Sequence, residues 1–392
     1  MNIKVNWTLF ICFIFFSCGQ SPEDARLKLG QMNIPYTESS FIENVKKGDI
    51  LVVKLFLTSG MNPKKGLIVA SRSGEIEIMK LLLDKVDDIK DEQVGEAFAA
   101  AAGEGHVDIC KLLLNRGANI DSKYLDRVLL ALSGKTEHVA FTKELVNRGA
   151  DINATTHSKT TALMIAAGAG NVELVQLLLN KGVDVNATTH SKTTALMTAV
   201  DAGNVEIVQL LLNKNVDVNA IDQKSLTALH YAAGHGNLDI VKLLLDHGAN
   251  IEAKSDNHET PLVFAVKGGH NSLVKPLVNK GAELNATIEY FSPDQRGGIH
   301  PSLLIFAVRA SDDNMVQSLL NLGADVNFKD DVGWTALMYA TWKGKTEKVR
   351  ALLQHGADVS MKDSRGKNAL QIAKEMSYLE IIDLLKDAMA KK

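Results

Sequence analysis

The chain has 392 residues, of which 46% are hydrophobic and 23% are charged, and its formal charge at neutral pH is −3. A chain of this length can bury a large core, and length alone would suggest two or three domains. Lys+Arg 43 are balanced by Asp+Glu 46, and no basic stripe is interleaved with aromatic residues, so the composition argues against nucleic acid as a partner.

Residues 1–17 have the pattern of an export signal peptide. Lys4 supplies the positive end, and residues 7–16 form an apolar run. The run has about ten residues, as in the core of a signal peptide, whereas a helix needs about 20 residues to span a bilayer. We therefore expect export and no membrane span at this position.

The signal ends in Phe15-Phe16-Ser17-Cys18-Gly19, which resembles a bacterial lipobox. The resemblance implies that Cys18 becomes the lipidated first residue of the mature protein. More than one acyl chain would then hold the protein at a membrane, at about 0.8 kcal/mol per buried CH₂. The expected location is the cell envelope, either periplasmic or surface-exposed, and an ordinary secretory signal that is cleaved nearby is the alternative.

Residues 18–38 combine this lipid anchor with a short predicted helix. Ser21 suits the N-cap, Pro22 suits the first helical position, and acidic residues follow in the first turn. Gly30 is expected to end the helix.

From residue 39 to residue 388 the chain repeats itself. Residues 153–164 recur letter for letter at 186–197, a step of 33 residues. Gly-Ala-Asp-like tripeptides from Gly117 to Gly356 keep nearly the same step, apart from one interval of 42 residues. A fixed step of this size is typical of stacked repeat architectures.

Each repeat predicts a pair of short helices, most clearly in residues 222–253. Thr227 can cap the first helix, and Gly236 separates it from an apolar second helix at 238–245. Gly248 is placed where a helix ends in a left-handed residue, and Asn215 is expected to take that conformation in the preceding repeat. Because such short helices are marginal alone, they must be stabilised by neighbouring repeats.

The pattern resembles the ankyrin repeat, which has the same step of about 33 residues. The segments Thr260-Pro-Leu262, Thr227-Ala-Leu-His230 and Gly323-Ala-Asp-Val-Asn327 carry the resemblance. It implies an all-α fold, an ankyrin-repeat solenoid of about eleven stacked helix-turn-helix units with short β-hairpin loops over residues 39–388, followed by a tail at 389–392.

Three features depart from this pattern. Residues 64–89 lack the capping threonine, residues 124–153 keep only the second half well, and Pro276 lies inside a helix. We expect those repeats to be distorted or shortened. An insertion at about 288–300 carries Tyr290 and Phe291, and it is either part of the binding face or a neutral loop expansion.

The sequence gives little support for a catalytic site or a metal site. No nucleophile elbow, zinc-protease helix or phosphate loop occurs, so we expect no catalytic residue, no metal and no cofactor. His157 and His190 lie in identical turns one repeat apart, which is too far for a shared zinc ion. His230 matches the family's structural histidine, and Cys110 occupies a core position held by valine in other repeats.

A binding surface is what remains, and in this family it lies on the turns and the exposed side of the first helices, which form a concave face. Two of the three tryptophans, Trp334 and Trp342, fall in this set beside Arg309, and aromatic residues and arginine dominate interface hot spots. The alternative for Trp334 is that it folds back over its own turn. The resemblance implies that the partner-binding residues are His157, Ser158, His190, Ser191, Asp201, Gln223, Lys224, His235, Asp256, Asn257, Lys267, Tyr290, Phe291, Arg309, Asp331, Trp334, Trp342 and Lys343.

The sequence thus predicts an exported, membrane-anchored lipoprotein that binds another protein, with no catalytic activity and no small-molecule substrate. One alternative is a secreted effector that binds a host protein. The other is an enzyme whose site is assembled across several repeats.

Overall fold

The structure is a computed structural model that describes residues 21–86, 92–288, 290–291, 298–310 and 312–391, with the backbone alone at 290–291 and 298–299. The predicted signal peptide and Cys18 lie outside the described residues. The chain divides into two compact units, Met1–His157 and Ser158–Lys392, which we call the N-terminal and C-terminal units.

The described part of the N-terminal unit contains nine α-helices. They are α1 (Pro22–Gln31), α2 (Glu38–Lys46), α3 (Ile50–Thr58), α4 (Lys64–Ser73), α5 (Ile76–Leu83), α6 (Glu92–Glu104), α7 (Val107–Asn115), α8 (Ser122–Leu132) and α9 (Val139–Asn147). A single 3-10 turn, Thr136–His138, precedes α9.

The described part of the C-terminal unit contains 14 α-helices and one pair of short strands. The helices are α10 (Ala162–Gly168), α11 (Val172–Asn180), α12 (Ala195–Asp201), α13 (Val205–Leu212), α14 (Ala228–His235), α15 (Leu238–Asp246), α16 (Pro261–Lys267), α17 (Asn271–Asn279), α18 (Leu303–Ala310), α19 (Asp313–Asn321), α20 (Ala336–Trp342), α21 (Thr346–Gln354), α22 (Ala369–Glu375) and α23 (Leu379–Ala390). The strands are β1 (Tyr290–Phe291) and β2 (Gly298–Ile299).

After α1, the helices form eleven consecutive pairs, α2 with α3 through α22 with α23. Within each unit the first helix of a pair packs on the first helix of the next pair, and most second helices do the same. The second helices bury leucine, isoleucine and valine side chains completely, as Leu174, Val175 and Leu178 do in α11. This stacking stabilises helices that are too short to persist alone, and it confirms the predicted ankyrin-type stack.

Threonine precedes most first helices of the C-terminal unit. Thr227, the predicted cap of α14, contacts the His230 ring nitrogen Nδ1 through its hydroxyl group at 2.9 Å. In α10, α12 and α20 the hydroxyl group of the preceding threonine accepts a hydrogen bond from the N–H group three residues later, at 3.2–3.3 Å.

Gly248 has the expected left-handed conformation, with φ +85°. Asn215 does not, since its φ is not positive. The prediction for Asn215 was wrong because α13 ends one residue earlier than α11, and the turn closes instead through Val216 N–H and the Lys214 carbonyl.

The N-terminal helix α1 begins as predicted and ends slightly later. The Ser21 hydroxyl accepts from Asp24 N–H at 3.1 Å, and the Asp24 carboxylate accepts from Ser21 N–H. Gly30 lies inside the last turn, and Asn33 is the left-handed residue beyond it, with φ 55°. The predicted stop at Gly30 was therefore early.

The departures from the repeat pattern disturb the fold less than expected. Helix α4 starts after Pro63 without a side-chain cap, yet it pairs with α5. The repeat at 124–153 has an 11-residue first helix, so the expected shortening does not occur. Pro276 is tolerated inside α17. None of the helices in the described ranges is long and apolar enough to cross a lipid bilayer.

The loops between repeats are tight turns, and the insertion extends one of them. A typical loop closes through a hydrogen bond from Asp222 N–H to the Leu226 carbonyl, at 3.0 Å. In the insertion, β1 and β2 pair antiparallel above a bridge between Thr287 and Ser302. The insertion thus contains a short antiparallel hairpin in place of a tight turn, and Ile288 at its base is fully buried.

Candidate protein-binding surface

The tips of the loops are tied to one another along the C-terminal unit. His190, Gln223 and Asp256 are exposed, and each belongs to one of three successive tips. The ties are backbone hydrogen bonds from His190 N–H to the Ser158 carbonyl at 3.1 Å, from Gln223 N–H to the Ser191 carbonyl at 3.1 Å, and from Asp256 N–H to the Lys224 carbonyl at 3.0 Å. The predicted tip residues therefore form one ordered polar ridge.

Side chains at the tips add to this ridge. The Gln223 side-chain amide donates to the His190 carbonyl at 2.9 Å, and the Ser225 hydroxyl donates to the Asp256 carboxylate at 2.6 Å. Asn257 is exposed beside them. His157 is exposed too, at the end of the N-terminal unit.

A buried aspartate organises the loop before certain first helices. One carboxylate oxygen of Asp330 accepts from the N–H groups of Val332 and Trp334, and the other accepts from the Tyr339 hydroxyl at 2.8 Å. Asp222 makes the same set of bonds, including one from the Tyr231 hydroxyl at 2.7 Å. Burial and then the aspartate hydrogen bond raise the pKa of both tyrosines, so both hydroxyls stay protonated and fix the loop to the helix.

The two predicted tryptophans form an aromatic cluster with Tyr339. The Trp334 ring lies 4.8 Å from the Tyr339 ring and 6.2 Å from the Trp342 ring, centroid to centroid. Trp334 is half-buried, whereas Trp342 is 47% exposed at the end of α20. Trp334 thus packs within its own repeat, and Trp342 is the tryptophan that faces solvent.

Cations lie beside this cluster. The Arg309 guanidinium is 4.8 Å above the Tyr339 ring and donates to its hydroxyl at 3.2 Å. The exposed Lys343 ammonium donates to the Arg309 carbonyl at 2.7 Å. Burial lowers the pKa of Lys343, and the neighbouring charges of Arg309, Lys345 and Lys348 lower it further.

Several of these residues belong to two rows that run across the first helices, and these rows were not predicted from the sequence. In the first helices α14, α16, α18 and α20, the residue four positions after the cap is aromatic. In α16, α18 and α20, the residue three positions further on is a lysine, an arginine or a tryptophan. The first row is Tyr231, Phe264, Phe306 and Tyr339, and the second is Lys267, Arg309 and Trp342. Because these helices pack side by side, the rows are continuous, and counting from the caps would have shown them.

Other predicted residues form charged or hydrogen-bonded pairs between or within repeats. The exposed His235 ring contacts the Asp201 carboxylate at 2.9 Å, linking α14 to α12. Lys267 pairs with the buried carboxylate of Glu259. In the inserted hairpin, His300 contacts the predicted Asp331 through its ring nitrogen, at 2.6 Å. The side chains of Tyr290 and Phe291 lie outside the described part of the chain.

His230 and Cys110 are core residues, as predicted. His230 Nδ1 accepts from Thr227 N–H and its Nε2 donates to the Glu259 carbonyl, each at 3.1 Å, and burial lowers its pKa. Cys110 is fully buried, and burial raises its pKa to about 12. Across the described ranges, His, Cys, Asp and Glu side chains nowhere converge in a group of three that could hold a metal ion.

Asparagines at the ends of several repeats of the C-terminal unit clamp one repeat to the next, a role that the sequence did not reveal. The Asn219 side chain accepts from Asn250 N–H at 2.7 Å and donates to the Gly248 carbonyl at 3.1 Å. Asn327 makes the equivalent pair. The Asn285 side-chain oxygen accepts from Asp325 N–H, and these residues are 40 apart in sequence instead of 31 because the insertion lies between them.

Comparison with known proteins agrees with this architecture. The family model "Ankyrin repeats (3 copies)" matches residues 41–124, 129–222, 216–288 and 304–392. The chain is 31% identical over 136 residues to the Ankyrin repeat and KH domain-containing protein mask-1 of Caenorhabditis elegans, a match that spans 33% of this chain and 5% of that protein. The crystal structure of the ankyrin repeat domain of Bcl-3, a member of the IkappaB protein family, superposes with a TM-score of 0.51 at 30% identity, covering 58% of this chain and 98% of the Bcl-3 chain. With the family model matched over most of its length, the chain belongs to the ankyrin-repeat family.

Proposed function

We propose that this protein captures a partner protein on the surface around Trp342 and is held at a membrane through a lipidated Cys18. Ankyrin repeats are protein-binding modules, and the fold is typically a non-catalytic scaffold. The exposed indole of Trp342 carries the proposal for the binding position. It already rests on Trp334, so it loses little conformational freedom on binding.

The arrangement around Trp342 has the composition of an interface hot spot. Tryptophan, tyrosine and arginine are the residues that dominate binding energy when they lie together. Here Trp342, Tyr339 and Arg309 lie within one cluster, and the exposed Lys343 lies beside it. An apolar centre with a polar rim is the usual anatomy of a protein interface.

Capture of the partner from native membranes tests the binding position. The full chain and its Trp342→Ala variant are used as bait, with Leu379→Ala as the control, because Leu379 is an apolar side chain with 76% exposure on α23. We expect Trp342→Ala alone to lose the cross-linked partner. Equal capture by both variants would place the binding surface elsewhere.

The membrane anchor is supported by the sequence of residues 1–20. Only three residues separate Cys18 from the start of α1 at Pro22, so at about 3.5 Å per residue the repeats would lie close to the bilayer. We expect a Cys18→Ser variant to leave the membrane fraction. Retention at high salt would contradict the lipid anchor, and wild-type protein in the culture fluid would favour a released effector.

A further inference from the structure

We infer that the partner segment bound at this surface is an acidic peptide, with carboxylates facing Lys343 and Lys345 and a large apolar side chain packed on Trp342. The inference rests on the proposed function, since it assigns the chemistry of the partner at the same surface. Its evidence is the local balance of charge and the limits of the positive patch.

The positive charge beside Trp342 is not neutralised by the chain itself. Lys343 and Lys345 are both exposed. In the ranges that the structure describes, no carboxylate lies within ion-pair distance of either ammonium group. Lys348, the third lysine nearby, is buried and already paired with Asp313.

Two other cations on the first helices have carboxylate partners. Lys267 pairs with Glu259, and His235 contacts Asp201. The position equivalent to Lys343 is Ala202 in an earlier repeat. Among the described residues, Lys343 therefore differs from these two cations in having no carboxylate within ion-pair distance.

The neighbouring charges make Lys343 a receptive site for an anion. Burial and the repulsion from Arg309, Lys345 and Lys348 lower its pKa, and a carboxylate placed beside it would relieve this repulsion. Such a carboxylate would also be partly shielded from solvent by the Trp342 indole, which strengthens the attraction. An apolar side chain next to the carboxylate would use the remaining surface of the ring.

The patch is short, which favours a peptide over a polyanion. The loop before α20 carries the exposed Asp331, and in the next repeat Glu375 holds the position equivalent to Trp342. Glu375 is itself paired with Lys367. A nucleic acid carries a phosphate on every nucleotide, and some of these phosphates would be repelled by the two acidic side chains. A peptide needs only one or two carboxylates at the right spacing.

Selection from a random linear peptide library displayed on phage tests the inference. The targets are the full chain, the Lys343→Glu/Lys345→Glu variant, the Trp342→Ala variant and the control Lys242→Glu, which makes a single charge reversal of the same kind on α15. We expect the wild-type chain and the control to enrich peptides with Asp or Glu next to a large apolar residue. The Lys343→Glu/Lys345→Glu variant should lose these peptides.

A labelled peptide from the wild-type selection then gives the affinity by fluorescence anisotropy. We expect the double charge reversal to weaken binding about tenfold, and higher salt to weaken wild-type binding, because the contact is between opposite charges. The Lys242→Glu control should bind as the wild type does. An unchanged affinity in the double variant would overturn the inference.

The remaining outcomes separate the inference from the proposed function. Peptides that need Trp342 but carry no acidic residue would overturn the inference and keep the binding position. Peptides whose enrichment depends on neither Trp342 nor Lys343, or no enrichment at all, would count against the inference and the proposed function alike. Tight, Lys343-dependent binding of a single-stranded oligonucleotide, or of phosphatidylglycerol vesicles, without acidic peptides would replace the peptide by another anion and overturn the inference.

Discussion

Trp334 and Trp342 take two different environments within a single repeat, one half-buried and one exposed. Trp334 lies at the end of a loop that Asp330 holds in place, and its ring packs on Tyr339. Trp342 lies at the exposed end of α20 and touches the edge of Trp334. Trp334 is therefore a packing residue, whereas Trp342 is the tryptophan to which we assign binding, and this assignment can be measured.

We expect Trp334→Ala to lower the free energy of unfolding by about 1–2 kcal/mol, since it removes a half-buried ring and its contact with Tyr339. Trp342→Ala should change it by less than about 0.5 kcal/mol, as is usual for exposed positions. Urea denaturation followed by circular dichroism compares the two variants. Similar losses in both would mean that Trp342 is a packing residue as well.

Two threonines at the ends of α20 offer a matched pair of changes. The Thr341 hydroxyl is buried without a hydrogen-bond partner, so Thr341→Val should stabilise the protein by about 1 kcal/mol. Thr335 caps the same helix through Met338 N–H, so Thr335→Val should destabilise it by about 1 kcal/mol. Thermal melting of both variants checks the opposite signs, and a loss of stability in Thr341→Val would contradict the assignment.

At the scale of the element, each helix pair depends on contacts that are set outside the helices. The capping threonine fixes the start of the first helix, and the loop aspartate, where present, fixes its approach. The asparagine clamp then joins the end of one repeat to the end of the next. Short helices with this support stack as a cooperative series in which neighbours supply most of the stability.

Removing one clamp should weaken the coupling between two repeats. Asn219→Ala loses two hydrogen bonds to the following repeat, and we expect a cost of about 1 kcal/mol because both bonds are exposed to solvent. Asn257→Ala, at an exposed loop tip, serves as the control and should be close to neutral. Denaturant titration compares them, and equal effects would show that the clamp contributes nothing.

At the scale of the whole molecule, the repeat step predicted the helix pairs and their number, because each repeat obeys the same local rules of capping and apolar spacing. Asn215 was mispredicted, since the sequence does not show that α13 ends one residue early. The asparagine clamp was missed because its partners are backbone groups of the next repeat. Trp334 and Trp342 also differ in how far their side chains are buried, and this difference depends on packing that the composition does not show.

The central claim is that the partner docks on Trp342, and site-specific photo-cross-linking tests it most directly. A photoreactive phenylalanine analogue, which keeps an aromatic ring at the docking position, replaces Trp342 in one chain and Lys242 in another, and both are irradiated in native membranes. We predict a cross-linked partner from position 342 and none from position 242. A partner that cross-links from position 242 but not from 342 would contradict the account.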